Sequence, residues 1–208
     1  MKRIGKYRAG MEPVLDLCTT EVIMKTTLII TDDFYQDPDG VRNYALSQSF
    51  EVKGNYPGIR TKPWLPDDLK KSIQYIVQHA AGKVTSWHED SGYTGAFQLC
   101  TSADRTWIHA DSFNTWAGVC YLTPDAPVSG GTALYRYKET KEYSRTDNNA
   151  PYLDGYDYTK WEQTDYVSNK YNRIVLYRGN LYHASVDYFG NNMQNGRLFQ
   201  TFFFSTEY

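Results

Sequence analysis

Residues 107–123 read WIHADSFNTWAGVCYLT, and this stretch decides how the chain folds. Its second half is a short apolar run, rich in β-branched and aromatic residues and followed by Thr123-Pro124, which is typical of a buried strand. The residues before it predict another short strand. Similar runs recur along the chain, separated by Gly, Pro, Asn and Asp, and they predict strands at 27–31, 96–101, 107–111, 115–122, 132–137, 173–177, 181–185 and 198–204.

Two helices are predicted ahead of most of these strands. Asp37 can cap the first, with Pro38 in its first turn. The second begins near 66–68, where acidic residues suit the helix dipole, and ends near 80–82, with His79 in its last turn. Residues 50–64 are predicted to be a Gly/Pro loop. The pattern predicts a mainly β fold, a double-stranded β-helix (jelly-roll or cupin-like barrel) with two N-terminal helices packed on one sheet.

The domain organisation follows from length and local composition. With 208 residues, the chain is long enough for one domain. Residues 1–25 are predicted to be an N-terminal extension, and residues 26–208 a single barrel domain. The polar, tyrosine-rich segment at 138–172 is too long for a hairpin loop and is interpreted as a lid or a partner surface. If it is a partner surface, the protein could be a homodimer.

Composition also restricts the partners and the cellular setting. A net charge of −2 gives no reason to expect a nucleic-acid partner. No apolar run approaches the roughly 18 residues of a transmembrane helix, so no membrane partner is expected. The three cysteines are Cys18, Cys100 and Cys120, and their odd number favours a reducing, cytoplasmic setting. Cys100 and Cys120 are interpreted as small core residues.

A His-x-Asp pair, a frequent metal-binding pattern, occurs twice. His88 and Asp90 lie in a polar stretch with turn residues on both sides, so His88 is interpreted as a loop residue. His109 and Asp111 follow Trp107-Ile108 and precede the apolar strand. In an extended segment, residues i and i+2 point the same way, roughly 7 Å apart. His109 and Asp111 are therefore the better candidates to reach one metal ion.

Further motifs follow this pair in a fixed order. The strand at 116–123 leads to a Gly130-Gly131 turn, residues 173–183 end in His183, and residues 196–204 begin with Gly196-Arg197. This series, over roughly 96–204, resembles the Fe(II)/2-oxoglutarate-dependent dioxygenase superfamily, particularly its prolyl-hydroxylase-like branch and small bacterial and phage relatives. The resemblance adds a function to the fold expected from the strand pattern.

The resemblance implies a role for each matched residue. The iron ligands would be His109, Asp111 and His183, and there would be no catalytic side chain beyond them. Arg197 and Tyr121 would hold the distal carboxylate of 2-oxoglutarate, and Thr201, on the same strand face as Arg197, could add a hydrogen bond. The cofactors would be Fe(II), 2-oxoglutarate and O2. The reaction would hydroxylate a small molecule or an amino-acid side chain, with release of succinate and CO2.

Other interpretations of the same residues stay open. Asp111 could form a turn, His183 could be a core histidine, and Arg197, fourteen residues after His183, could be a surface ion-pair partner. Tyr121 and Thr201 could simply pack. The alternative function is a non-catalytic jelly-roll binding or assembly module, and a third is a metal enzyme that does not use 2-oxoglutarate. The intact ligand set favours the oxygenase.

Overall fold

The computed structural model describes residues 25–111, 113–146 and 154–207. Apart from residue 25, the predicted extension at 1–25, with Cys18, lies outside these ranges. Residues 147–153 of the tyrosine-rich segment also lie outside them. Within the described ranges, no helix has the length and apolar character that crossing a bilayer requires.

The described residues form ten strands, two α-helices and two 3₁₀ turns. The helices are α1 (Pro38–Ser47) and α2 (Asp67–Ala81), and the 3₁₀ turns are Glu89–Ser91 and Tyr158–Lys160. The strands are β1 (Leu28–Thr31), β2 (Ile59–Pro63), β3 (Val84–Ser86), β4 (Ala96–Cys100), β5 (Trp116–Tyr121), β6 (Thr132–Tyr137), β7 (Trp161–Val167), β8 (Ile174–Arg178), β9 (His183–Ser185) and β10 (Arg197–Thr206).

The strands are arranged in two antiparallel sheets. The larger has the order β1-β8-β5-β10-β4-β2, and β3 pairs with the C-terminal end of β10. The smaller has the order β7-β6-β9. The mainly β fold with two helices that the sequence predicts is confirmed.

Several boundaries differ from the sequence prediction. The stretch predicted as a Gly/Pro loop contains β2, which pairs with β4. An outermost strand tolerates a proline, here Pro63, because one of its sides has no complete ladder. The short strand β3 was not predicted. The predicted strand at 107–111 is absent, since this stretch makes a single isolated bridge between His109 and His183.

The tyrosine-rich segment is also not simply a lid. Residues 161–167 form β7, which pairs with β6 along its whole length. Trp161 and Val167 at its ends are buried, while most residues between them are exposed. A polar edge strand with so few buried positions lacks the alternating apolar pattern by which strands are recognised in a sequence.

Both helices pack on one face of the larger sheet. Asp37 caps α1 as predicted, since its carboxylate accepts a hydrogen bond of 2.9 Å from the Gly40 backbone N–H. In α2, Leu69, Ile73 and Val77 recur every four residues and are buried. They join Phe97, Trp116, Leu198 and Phe202 of the sheet in one core cluster.

This cluster predicts a large effect for truncation in α2. Ile73 is fully buried, so replacing it with alanine is expected to lower the free energy of unfolding by about 2–5 kcal/mol. Tyr75, on the same helix, is 74% exposed, and its replacement by alanine is the matched control, with an effect of about 0.5 kcal/mol or less. Urea unfolding followed by circular dichroism measures both. Equal losses for the two variants would contradict this packing.

β10 separates the helix-side core from the space between the sheets. Phe202 and Phe204 belong to the helix-side cluster, whereas Phe199 and Phe203 belong to or pack on a second cluster between the two sheets. Because side chains alternate along a strand, Arg197 and Thr201 share the inner face with Phe199. Cys100 and Cys120 are buried and form no disulfide with each other, in line with their interpretation as core residues.

Candidate metal centre

Backbone pairing brings the two candidate histidines together. The His109 N–H donates to the His183 carbonyl at 3.0 Å, and the His183 N–H donates to the His109 carbonyl at 2.8 Å. The imidazole centroids lie 4.4 Å apart. His183 is in turn held by β9, which pairs with β6 of the smaller sheet.

Asp111 completes a three-residue cluster. Its backbone N–H donates to the Gly179 carbonyl at 2.8 Å, just beyond β8. One ligand atom from each of His109, Asp111 and His183 can be chosen so that all three lie within 4.8 Å of one another. Two imidazoles and one carboxylate on one side of an ion leave its other side open, as in non-heme Fe(II) oxygenases. The structure thus brings together the three residues predicted as ligands.

Both histidines are held in a tautomer that can bind a metal through Nε2. The Nδ1 atom of His109 lies 3.1 Å from the Trp107 carbonyl oxygen, and Nδ1 of His183 lies 2.7 Å from the Leu181 carbonyl oxygen. Because a carbonyl can only accept, Nδ1 carries the proton in each ring. Each Nε2 therefore keeps its lone pair for an ion, and the carbonyl fixes the ring orientation.

Burial determines the electrostatics of the cluster. It lowers the pKa of His183 well below its ordinary value, and the nearby His109 adds to this effect. Burial raises the pKa of Asp111, partly offset by His109, by a hydrogen bond from Asn114 and by the charge of Arg60. The Asn114 amide lies 3.2 Å from the carboxylate. A divalent cation would compensate the buried carboxylate and would be bound by neutral imidazoles.

The cluster faces a solvent-open cavity between the two sheets, with a volume of about 100 Å³. Its lining includes the aromatic residues Tyr177, Tyr188, Phe199 and Phe203 and the polar residues Arg60 and Thr201. No described residue of the 138–172 segment lines this cavity.

Arg197 is not a surface ion-pair partner. Its side chain is fully buried, with Nε donating to the Gly130 carbonyl at 2.9 Å and Nη2 to the Gly131 carbonyl at 3.1 Å. Nη1 is buried and has no hydrogen-bond partner among the described residues, none of which forms an ion pair with Arg197. An unsatisfied buried guanidinium is costly, and an anion would satisfy it.

Two aromatic rings that line the cavity lie close to the Arg197 guanidinium. Its guanidinium carbon lies 4.3 Å from the Phe199 ring centroid and 5.6 Å from that of Tyr188. Both rings line the cavity, whereas Arg197 does not. The Gly-Gly turn that supplies its acceptors needs glycine, because a Cβ on Gly131 would lie 2.0 Å from the Val167 carbonyl oxygen.

Tyr121 and Thr201 differ in what they can offer a carboxylate. The buried Tyr121 hydroxyl shares a 2.7 Å hydrogen bond with the Thr132 hydroxyl, and its ring lies 5.3 Å from the Arg197 guanidinium. The Thr201 hydroxyl already donates to the backbone carbonyls of Tyr93 or Ala96, at 2.7 and 3.1 Å. Thr201 lines the cavity but has no proton left for a carboxylate.

The sequence did not single out every residue of the site. Asn114 and the carbonyls of Trp107 and Leu181 contact the cluster, but no residue pattern marks them in advance. Arg60 lies in the stretch predicted as a loop. His88, of the other His-x-Asp pair, hydrogen-bonds to Ser205 at 2.8 Å and belongs to no potential metal cluster of the described residues.

This architecture was compared with those of known proteins. No curated protein sequence matches the chain. HygX from Streptomyces hygroscopicus, solved with nickel, 2-oxoglutarate and hygromycin B, is similar with a TM-score of 0.57 and 10% identity, covering 88% of this chain and 84% of HygX. SnoN, a non-heme alpha-ketoglutarate-dependent epimerase from nogalamycin biosynthesis, gives 0.55 and 12%, covering 86% and 78%.

A third similar structure is a prolyl hydroxylase from Trichoplax adhaerens, solved with a hypoxia-inducible-factor peptide. Its TM-score is 0.50 at 11% identity, covering 87% of this chain and 84% of that one. The fold is therefore shared with the Fe(II)/2-oxoglutarate-dependent oxygenases, including the prolyl-hydroxylase branch, as the resemblance predicts. A family model described as a family of unknown function (DUF6445) matches residues 16–204, and the chain belongs to that family.

Proposed function

We propose that this chain is a non-heme Fe(II)- and 2-oxoglutarate-dependent oxygenase on a double-stranded β-helix scaffold. The observation that carries the proposal is the three-residue cluster, whose candidate ligand atoms lie within 4.8 Å of one another and whose two histidines have Nδ1 against a backbone carbonyl, which leaves Nε2 for an ion. His109, Asp111 and His183 would hold the iron. The donor set fits Fe(II), because two neutral imidazoles and one carboxylate leave positions for a co-substrate and O2.

Arg197 would bind the distal carboxylate of 2-oxoglutarate. Its unpartnered Nη1 supports this role, since a carboxylate would supply both the missing acceptor and the missing negative charge. Thr132 can be the donor in its hydrogen bond with Tyr121, which leaves the Tyr121 hydroxyl proton for the same carboxylate. Thr201 would contribute contact but no hydrogen-bond donation. We expect the ring of Phe199 or Tyr188 to shift when the co-substrate binds.

The bound iron and 2-oxoglutarate would supply the activation of O2, with release of succinate and CO2. The protein's part is to hold and orient the reactants. The carbonyls of Trp107 and Leu181 fix the histidine rings, and the apolar walls of the cavity limit water near the reacting centre. Because Asp111 occupies the third ligand position, hydroxylation is favoured over transfer of a halide.

The near-neutral charge favours a small molecule or an amino-acid side chain over a nucleic acid as the substrate. The buried, unpaired Cys100 and Cys120 are compatible with a cytoplasmic setting. The competing function, a non-catalytic module, has no use for two histidines held in metal-binding tautomers.

Succinate formation tests the proposal. Purified protein supplied with Fe(II), 2-oxoglutarate and ascorbate is expected to release succinate in air but not under anaerobic conditions. Slow release without a substrate is sufficient, because uncoupled turnover leaves the same product. Iron binding without any O2-dependent succinate would favour a different metal enzyme, and the absence of both would favour the non-catalytic module.

Iron affinity is expected to fall as the pH is lowered. Protons compete with the ion for Asp111, and burial raises the pKa of this carboxyl, so the competition begins at a higher pH than for an exposed aspartate. His183, whose pKa is lowered, stays neutral further into acid and contributes less to the fall. Anaerobic Fe(II) titration between about pH 5 and 8 measures the effect. An affinity independent of pH would contradict the assignment of Asp111 as a ligand.

A further inference from the structure

Arg60 is a guanidinium residue that lines the metal cavity, and no local sequence pattern marks it. It lies on β2, paired with Gln98 of β4, and lines the same cavity as the three-residue cluster. The whole residue is only 5% exposed. A cation so deep in a protein ordinarily has an acidic partner.

No acidic partner is present among the described residues. Arg60 donates from Nε to the Gln98 side-chain oxygen at 3.1 Å, and Nη2 donates to the same oxygen. The Gln98 amide nitrogen is held by the Pro57 carbonyl at 2.7 Å, which turns the oxygen of the amide towards Arg60. The Gln98 partner is thus neutral, and no described carboxylate forms an ion pair with Arg60, although its charge lowers the pKa of Asp111, a candidate metal ligand in the same cavity.

The remaining neighbours of Arg60 are aromatic. Its guanidinium carbon lies 3.7 Å from the Tyr56 ring centroid and 4.9 Å from that of Tyr93. These rings orient the guanidinium plane by cation–π contact. Burial lowers the pKa of Arg60 to about 10, so the group remains a cation at neutral pH.

One guanidinium nitrogen of Arg60, which lines the cavity, is unused. Nη1 makes no hydrogen bond to any described residue, and unlike Nη1 of Arg197 it is not sealed from solvent. Arg42 provides a contrast, since its Nη1 and Nη2 donate to the carbonyls of Leu122 and Gln194 at 2.6 and 2.7 Å. Arg42 thus connects α1 to the chain at Leu122 and Gln194, and it does not line the cavity. Arg60 instead has an unused donor and lines an open space.

Arg60 and Arg197 form two separate positive sites. Arg197 is paired with Cys100 on β4 and Arg60 with Gln98, from opposite sides of that strand. Because β4 lies between their two strands, those strands are about 10 Å apart, which is twice the ordinary spacing of neighbouring strands. A 2-oxoglutarate that extends from the metal to Arg197 leaves Arg60 for a different anion.

We propose that Arg60 binds an oxyanion of the substrate, a carboxylate or a phosphate, so that the substrate is a small acid with an apolar body. That the anion belongs to a substrate rests on the proposed function, but the binding of an anion at Arg60 does not depend on iron. The planar donor edge matches either oxyanion. Tyr177, Phe199 and Phe203 line the cavity together with the metal cluster and would pack on the apolar body.

Anion binding to metal-free protein tests this directly, with phenylacetate, phenyl phosphate and neutral phenylacetamide as probes in isothermal titration calorimetry. The wild-type protein is expected to bind one of the two anions at least about tenfold more tightly than the amide, from the contribution of a charged hydrogen bond. The favoured anion distinguishes a carboxylate from a phosphate substrate. Arg60→Gln is expected to remove the preference, and Arg60→Lys, which keeps the charge, to retain part of it.

Separate outcomes distinguish the two proposals. With Fe(II) bound, Arg60→Gln is expected to change the affinity for 2-oxoglutarate less than about twofold, far below the effect of a lost charged contact. A loss above about tenfold would show that Arg60 holds the co-substrate, and it would overturn the inference. An anion preference that is absent in the wild type, or that persists in a folded Arg60→Gln protein, would also overturn it. Failure of iron binding would overturn the proposed function alone, because the calorimetry uses no metal.

Discussion

Replacing His183 with alanine is expected to abolish iron binding at micromolar concentrations and, with it, succinate formation. His183 would supply one of the three proposed ligands, and its Nδ1 is already committed to the Leu181 carbonyl. Since loss of an outer-shell partner alone weakens metal binding by about 10- to 100-fold, loss of a ligand should cost at least about 100-fold. Anaerobic Fe(II) titration and metal content after gel filtration measure the loss.

His88→Ala is the matched control for this prediction. His88 is the histidine of the other His-x-Asp pair and touches Ser205 rather than the metal cluster. The control variant should bind iron as the wild type does. Equal iron binding by the wild type and a folded His183→Ala protein would remove His183 from the site, and equal losses in both variants would point to a general effect on folding.

Replacing Arg197 with glutamine is expected to raise the 2-oxoglutarate concentration required for half-maximal succinate formation. A charge-assisted contact contributes up to about 3 kcal/mol, which corresponds to a rise of about 100-fold. Iron binding should be nearly unchanged, because Arg197 does not belong to the ligand cluster. The change is thus predicted in KM for the co-substrate and not in metal content.

The structural role of Arg197 requires its own control. Its Nε and Nη2 donate to the carbonyls of Gly130 and Gly131, so part of any effect could come from a displaced turn. Arg197→Lys keeps the charge and should recover part of the 2-oxoglutarate affinity, whereas a purely structural role would leave both variants equally impaired. An unchanged co-substrate requirement in Arg197→Gln would favour a metal enzyme that does not use 2-oxoglutarate.

The fold was predictable where the signals are local. The cap at Asp37, the four-residue repeat of α2 and the apolar runs of β4, β5 and β10 all lie within single elements. β2 and β7 were missed because they lie at the edges of sheets, where a proline or a row of exposed polar residues is tolerated. Residues 107–111 were predicted as a strand, but only His109 finds a bridge partner.

The candidate site also contains some residues that local sequence patterns indicate and others that they do not. The pair His109 and Asp111 has a recognisable spacing, and His183 and Arg197 follow in an order that resembles a known superfamily. Arg60 reaches the cavity only through the pairing of β2 with β4, a long-range contact that no local pattern contains. Likewise, the donation of the Thr201 hydroxyl to backbone carbonyls depends on a loop about a hundred residues away. The sequence indicated the candidate metal ligands, and the tertiary structure added their surroundings.

The most direct test of the central claim is an anaerobic titration of the protein with Fe(II) and then 2-oxoglutarate, followed by visible absorption. We predict a charge-transfer band that requires both additions, saturates at one iron per chain, and is absent in Asp111→Ala. Binding of iron with no new band on addition of 2-oxoglutarate, or a band that persists unchanged in a folded Asp111→Ala protein, would contradict the account.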